Sequence, residues 1–214
     1  MFELNDQFLI SSKAQLREVI PEPPEFLQLK VFDELFDEAC DFIRESPLAM
    51  LCTQDARGRM DVSPKGDGPG FVAIADNKTL LIPDRPGNRL AYGFNNLLES
   101  PQLGLIFLRP GVRETLRING TGAISKDPQL CERLSAGGKP AQLVVVVQLE
   151  ECFFHCGKAL IRSKLWQPDS WLDPATVSFG KQLAARMSTD SASQAETTEQ
   201  IDAVVAQDYR DNLY

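Results

Sequence analysis

The 214-residue sequence carries a formal net charge of −8 at pH 7, and its 43% hydrophobic and 24% charged residues are typical of a globular protein. Because acidic residues prevail and no aromatic ladder accompanies the basic ones, we expect no nucleic-acid partner. A single histidine excludes a His-rich metal site, so we expect no metal. Five cysteines without a close CxxC pair indicate free thiols. No signal peptide or membrane span is recognisable, and we expect a cytoplasmic protein without a membrane partner.

Two helices are predicted in the first part of the chain. Ser12 and Gln15 have capping-box spacing, which predicts a short helix over residues 12–20. A longer helix is predicted at about 29–46, because apolar residues recur there at helical spacing and acidic residues occupy the opposite face. This second helix is expected to pack on a core.

From residue 48 the apolar pattern takes the two-residue period of strands, with turn residues at short intervals. Six or seven short strands interrupted by single helices predict a mainly β, α+β fold built on a small antiparallel barrel. A parallel doubly wound sheet would need a helix after nearly every strand. The predicted strands are 48–54, 59–63, 70–75, 79–83, 103–109, 114–125 and 141–149, the last continuing toward Phe154, and the predicted helices are 87–98 and a short one from Asp127 through Leu134.

The C-terminal part has a different character. Residues 156–171 show few strand features and lead to a helix opened by Asp173-Pro174. The polar stretch 188–200 is predicted to be mobile, and the amphipathic segment after it is predicted to dock on the domain. We expect an N-terminal helical extension at 1–28, the barrel at 29–165 and a C-terminal helical extension at 166–214.

Basic residues concentrate between Arg57 and Arg117. This window holds nine Lys and Arg against six Asp and Glu, although the whole chain is acidic. A local cationic region in an acidic protein favours a small anionic ligand, and scattered solvated charge is the alternative. The GDGPG run at 66–70 precedes a strand rather than a helix and lacks GK[ST], so we interpret it as a turn and not as a nucleotide-binding loop.

The stretch IPDRPGNRL joins a predicted strand to a predicted helix. Residues 86–90 would then lie near a helix N-terminus, where free backbone amides favour a phosphate group. Arg85 and Arg89 would add charged hydrogen bonds, and Lys65 could reach the same place from an adjacent strand. The alternative is a pair of ordinary turn arginines.

The order of these features resembles the pyridoxamine 5′-phosphate oxidase-related flavoproteins over roughly residues 30–165. The resemblance rests on a strand ending in Lys65, a strand leading into PGNR, and a later strand with RETLRINGTG. It implies an FMN-binding split barrel in a homodimer with FMN at the interface. It also implies an FMN-dependent oxidoreductase that transfers two electrons between flavin N5 and an unidentified small substrate. A non-catalytic flavin- or haem-binding sensor on the same barrel is the alternative.

The resemblance assigns three groups of residues to FMN. The chain departs from the vitamin B6 enzyme at DVSPK, which carries an acid and a proline, and lacks a clear C-terminal substrate signature. The resemblance therefore assigns neither the substrate nor a catalytic residue. The groups are Arg59, Asp61, Val62, Ser63 and Lys65 on one strand; Arg85, Asn88 and Arg89 at the helix start; and Arg113, Thr115 and Arg117 on the strand from the second subunit.

The segment FHCGKALIRSKLW at 154–166 occupies the position where this family completes its pocket. Four polar or aromatic side chains could bind substrate or close over the flavin, with the tryptophan as a stacking surface. The alternative is a structural corner with the tryptophan in the core. The four are His155, Lys158, Arg162 and Trp166.

Overall fold

The computed structural model describes residues 2–173 and 177–214, which divide into two compact units, 2–31 and 32–214. The first unit contains two 3-10 turns, Asp6–Phe8 and Glu25–Lys30, and helix α1, Lys13–Val19. None of these elements buries a residue. The predicted cap of α1 is confirmed, because the Ser12 side chain accepts a hydrogen bond from the Gln15 amide at 3.2 Å.

The second unit is an antiparallel sheet with flanking helices. Its described strands are β1 (Leu48–Gln54), β2 (Met60–Gly66), β3 (Ala73–Asp76), β4 (Thr79–Pro83), β5 (Gln102–Leu108), β6 (Thr115–Ser125) and β7 (Val144–His155). Its described helices are α2 (Asp37–Glu45), α3 (Tyr92–Glu99), α4 (Pro128–Arg133), α5 (Lys158–Ser163), α6 (Phe179–Met187) and α7 (Ser191–Asp211), with a 3-10 turn at Pro168–Ser170.

The sheet formed by the described strands follows the order β2-β1-β5-β6-β7-β4-β3, and every neighbouring pair is antiparallel. β2 and β3 are its edges, so the sheet is not closed into a full barrel. The α+β fold with an antiparallel split barrel is therefore confirmed. Where β6 meets β7 the register shifts after Asn119, and a Cβ at Gly120 would come within 2.1 Å of the Gln148 carbonyl oxygen. Only glycine fits this bulge.

The core lies between the sheet and two helices. Alternate residues of β1, β5 and β6 are buried, as the two-residue period predicts. α2 adds Ala39, Phe42 and Ile43 to this core, and α3 adds Leu97. A smaller cluster packs α4 against the other face of the sheet through Cys131.

The predicted start of the second helix, at about residue 29, is wrong. Phe32 instead exchanges backbone hydrogen bonds with Cys152 of β7, at 3.0 and 2.8 Å. The Leu35 amide donates to the Asn77 carbonyl at 2.7 Å. These pairings hold the segment against the sheet in an extended form, and α2 begins only at Asp37.

The stretch predicted to be mobile is largely helical. α7 begins at Ser191, where the Asp190 side chain accepts from the Ser193 amide. It packs closely on α6, since a Cβ at Gly180 would come within 2.2 Å of the Thr198 carbonyl oxygen. Tertiary packing thus stabilises a polar sequence as helix.

The predicted helix start at Asp173-Pro174 falls partly on residues 174–176, which lie outside the described residues. α6 begins at Phe179, where the Ser178 side chain accepts from the Lys181 amide at 2.9 Å. No helix in the described part of the chain is long and apolar enough to cross a lipid bilayer.

Candidate functional site

A cavity of about 810 Å³ opens between the end of β2, the loop that follows β4 and the first turn of α3. Its volume is within the range of roughly 300–1,000 Å³ that small-molecule sites occupy. Seven of the residues predicted to bind a cofactor line it: Asp61, Val62, Ser63, Lys65, Arg85, Asn88 and Arg89.

Two ion pairs join the walls of this cavity. Lys65 Nζ lies 3.1 Å from Asp84 Oδ1, and Arg85 Nε lies 2.8 Å from Asp67 Oδ2. The first pair joins β2, the first strand in the sheet order, to the residue after β4, the sixth. Neighbouring strands are about 4.8 Å apart, so a flat sheet would separate these strands by roughly 24 Å. The sheet must therefore curl, and the cavity lies where its two ends approach each other.

Arg85 has an unused hydrogen-bonding group at this site. Its side chain is 16% exposed, and its Nε donates to Asp67. Its Nη1 is buried and has no hydrogen-bond partner among the described residues. A buried donor without an acceptor costs about 1–3 kcal/mol. An oxygen of an anionic ligand would relieve this cost.

The cations at the cavity are less free than the charge count indicates. Lys65 is paired with Asp84 and lies 5.0 Å from the centroid of the Phe94 ring. Arg85 is paired with Asp67. Arg89 is the exposed cation of the set. The site is therefore a polar, charge-paired cavity with one exposed arginine rather than an open cationic surface.

The helix predicted over 87–98 begins later, at Tyr92, so residues 86–90 lie just before its N-terminus and are not part of its first turn. Arg89 and Ala91 instead adopt left-handed backbone conformations, with φ of 59° and 53°. The Asn88 side chain accepts from the Leu90 amide at 3.0 Å and stabilises this turn. Non-glycine residues in this region are uncommon and cluster at functional sites. The loop contributes side chains and a left-handed backbone to the cavity, and the first turn of α3 lines it beside the loop.

Tyr214 is a residue of the site that sequence reasoning missed. Its hydroxyl donates to Asp67 Oδ1 at 2.9 Å, and its backbone oxygen accepts from Lys139 Nζ at 2.5 Å. Its ring lies over Gly137, where a Cβ would come within 2.7 Å of it. The amphipathic period after residue 200 predicted docking of this segment, but no local signal indicated where.

Asp67 is the centre of this network. Burial raises the pKa of its carboxyl, but hydrogen bonds from the Gly68 amide, Tyr214 and Arg85 outweigh burial, and the net pKa is below its usual value. The hydrogen bond to Asp67 raises the pKa of Tyr214. At neutral pH the network therefore holds a carboxylate, a guanidinium and a neutral phenol.

The other predicted site residues do not line this cavity. Arg59 pairs with Asp55 at 2.6 Å. Thr115 pairs in register with His155, so these two predicted residues lie side by side where β6 begins and β7 ends. Those outside the cavity are Arg59, Arg113, Thr115, Arg117, His155, Lys158, Arg162 and Trp166.

The contacts of Trp166 favour a structural corner. Its indole Nε1 donates to the Val112 carbonyl at 2.8 Å. A Cβ at Gly157 would come within 2.8 Å of the Arg113 carbonyl oxygen. Both contacts fix the segment against the loop between β5 and β6. Stacking of Trp166 on a ligand stays a prediction.

Comparison with known proteins agrees with this fold. A family model described as pyridoxamine 5′-phosphate oxidase matches residues 35–156, which is more than half of the sequence. The chain belongs to the pyridoxamine 5′-phosphate oxidase family. No curated protein matches the sequence.

Several solved structures are similar to part of this chain at low identity. HupZ from Group A Streptococcus is 20% identical with a TM-score of 0.47, covering 56% of this chain and 93% of its own. An FMN-binding protein from Syntrophomonas wolfei is 11% identical with a TM-score of 0.41, covering 65% and 95%. The haem storage protein HutZ from Vibrio cholerae is 17% identical with a TM-score of 0.39, covering 56% and 92%. None of these similarities assigns a ligand to this chain.

Proposed function

We propose that the cavity binds FMN and that the protein is an FMN-dependent oxidoreductase acting on a small substrate. The observation that carries the proposal is the buried Nη1 of Arg85, which has no hydrogen-bond partner among the described residues and belongs to a residue that lines the 810 Å³ cavity. A phosphate oxygen supplies such an acceptor, and membership of the pyridoxamine 5′-phosphate oxidase family supports a flavin as its carrier.

The residues present fit FMN in two ways. Arg85, Arg89 and Asn88 offer donors for the phosphate, and Lys65 adds a partly buried cation. Residues 61–63 of the edge strand β2 line the same cavity, and their backbone would offer hydrogen-bonding groups to the isoalloxazine edge. Bound FMN supplies two-electron chemistry at N5, while the chain binds and orients it.

A homodimer would bring the remaining predicted residues to the flavin. Arg117 and His155 lie near the end of the sheet where β6 begins and β7 ends, and Arg113 comes two residues before β6. The side chains of Met60 and Val62 on the edge strand β2 are largely exposed. We propose that the end of the sheet where β6 begins and β7 ends faces the cavity of a second copy. Apolar side chains exposed along an edge strand support an interface there.

The test is titration of FMN into the purified protein, followed by flavin fluorescence. We expect binding by the wild type and an affinity lowered roughly tenfold or more in Arg85→Gln, because a hydrogen bond to a charged group contributes about 1.5–3 kcal/mol. Arg186→Gln, which changes an exposed arginine of α6, is the control and should bind like the wild type. Wild-type protein that does not bind FMN would refute the proposal.

Turnover separates the enzyme from a sensor. The FMN complex should be reduced by NAD(P)H or a small donor and reoxidised by an acceptor, with steady-state turnover. An FMN complex that no donor reduces would indicate a binding protein, and preferential binding of haem over FMN would identify the other ligand considered for this barrel.

A further inference from the structure

The segment after α7 forms part of the wall of the candidate site. Leu213 and Tyr214 line the 810 Å³ cavity, and Tyr214 also lines an adjoining cavity of about 380 Å³. Lys139 and Gly137 hold Tyr214 in place through its backbone oxygen and its ring. A tyrosine 147 positions away in sequence thus reaches Asp67.

The hydrogen bonds of Asp67 determine where Arg85 points. Oδ1 accepts from the Gly68 amide at 2.8 Å and from Tyr214 Oη at 2.9 Å. Oδ2 accepts from Arg85 Nε at 2.8 Å. Two donors on one oxygen fix the carboxylate plane, and the carboxylate in turn fixes the planar guanidinium. The buried Nη1 of Arg85 is thereby held without a partner of its own.

We propose that Tyr214 is a positioning residue for the phosphate of the bound ligand, acting through Asp67 on Arg85. The inference rests on the proposed binding of FMN. Asp67 accepts a hydrogen bond from Arg85 Nε on one oxygen and from the Tyr214 hydroxyl on the other. Tyr214 thereby holds the carboxylate, and with it the guanidinium, in the orientation that leaves Nη1 for a phosphate oxygen. An arginine ordered before binding loses less side-chain entropy when the ligand arrives.

The test compares FMN with riboflavin, which lacks the phosphate, on the wild type and on Tyr214→Phe. The substitution removes only the hydroxyl and keeps the ring against Gly137. We expect the dissociation constant of FMN to be roughly two- to tenfold higher for the variant than for the wild type, which is the range for one net hydrogen bond. Riboflavin affinity should stay unchanged. Tyr209→Phe, at an exposed tyrosine of α7, is the matched control.

A double variant tests the route of the effect. If Tyr214 acts through Arg85, then Tyr214→Phe should cause no further loss of FMN affinity in an Arg85→Gln background. Equal losses in both backgrounds would overturn the route, and equal losses for FMN and riboflavin would reveal a merely structural role. Thermal unfolding of each variant shows whether the fold is kept.

The outcomes separate this inference from the proposed function. If the wild type does not discriminate FMN from riboflavin, the assignment of the phosphate site fails. If the wild type prefers FMN and Tyr214→Phe binds it equally well, only the role of Tyr214 fails. Tighter FMN binding by Tyr214→Phe would show that the tyrosine competes with the ligand and would likewise overturn the inference.

Discussion

The ion pair between Lys65 and Asp84 permits a quantitative test of the curled sheet. The two side chains are only 20% and 14% exposed. Removing one partner of a fully buried pair costs about 3–5 kcal/mol, because the other charge is left uncompensated. With this residual exposure we expect Lys65→Met and Asp84→Asn each to lower the free energy of unfolding by about 2 kcal/mol. The double variant leaves no unpaired charge and should lose about 1 kcal/mol.

Urea unfolding of the ligand-free variants measures these differences. With a slope of roughly 2 kcal/mol per M urea, each single substitution should lower the midpoint by about 1 M. The control is the exposed pair of Lys78 and Asp33, which are 2.9 Å apart and 41% and 81% exposed. Lys78→Met should leave the urea midpoint nearly unchanged, because solvent screens an exposed ion pair. If the two effects at Lys65 and Asp84 simply add, the charges do not interact and the argument for a curled sheet is refuted.

Two further outcomes are expected. Burial raises the pKa of the Cys152 thiol to about 12, whereas Cys156 is exposed. In the folded protein a thiol reagent at pH 8 should therefore label Cys156 and leave Cys152 unmodified. Equal labelling of the two cysteines would contradict the described burial. The pKa of Asp67 is lower in the folded protein than its unfolded-state value of about 3.9. The ionised carboxyl therefore stabilises the fold above the unfolded-state pKa, and this stabilisation is lost as the pH falls through the lower folded-state pKa. The stability margin of the wild type over Asp67→Asn, measured by urea unfolding, should therefore shrink between pH 6 and pH 3, and a constant margin would count against this assignment.

The sequence predicted the sheet well because its signal is local. Buried and exposed residues alternate in β1, β5 and β6, and turn residues separate most strands. The N-cap of α4 was also predicted from the sequence, and the Asp127 side chain indeed accepts a hydrogen bond from the Gln129 amide at 2.8 Å. Patterns within a few residues sufficed for these elements.

The predicted starts of two helices were wrong because the structure there is not determined by local sequence preference. Phe32 has helical periodicity with its neighbours, but its backbone pairs with Cys152 across the sheet. The late start of α3 follows from left-handed Arg89 and Ala91, and neither residue type signals that conformation. Tertiary contacts override local preference in both cases.

The candidate site was predicted in its location but not in its chemistry. Lys65, Arg85 and Arg89 do line one cavity, as the charge pattern indicated. The count of charges did not show that Asp84 and Asp67 pair with two of them. Those partners lie 19 and 18 positions away in sequence, so only the fold reveals them.

Pro64 on the edge strand β2 limits how this protein can associate. Proline has no N–H to donate, so it is tolerated in edge strands and interrupts any ladder that another strand would build there. It pairs in register with Met50 of β1 on its inner side. A second chain that paired with β2 would find no N–H donor at Pro64, which disfavours continuous extension of the sheet past this position. The same proline protects the exposed apolar residues of β2 from recruiting misfolded chains into aggregates.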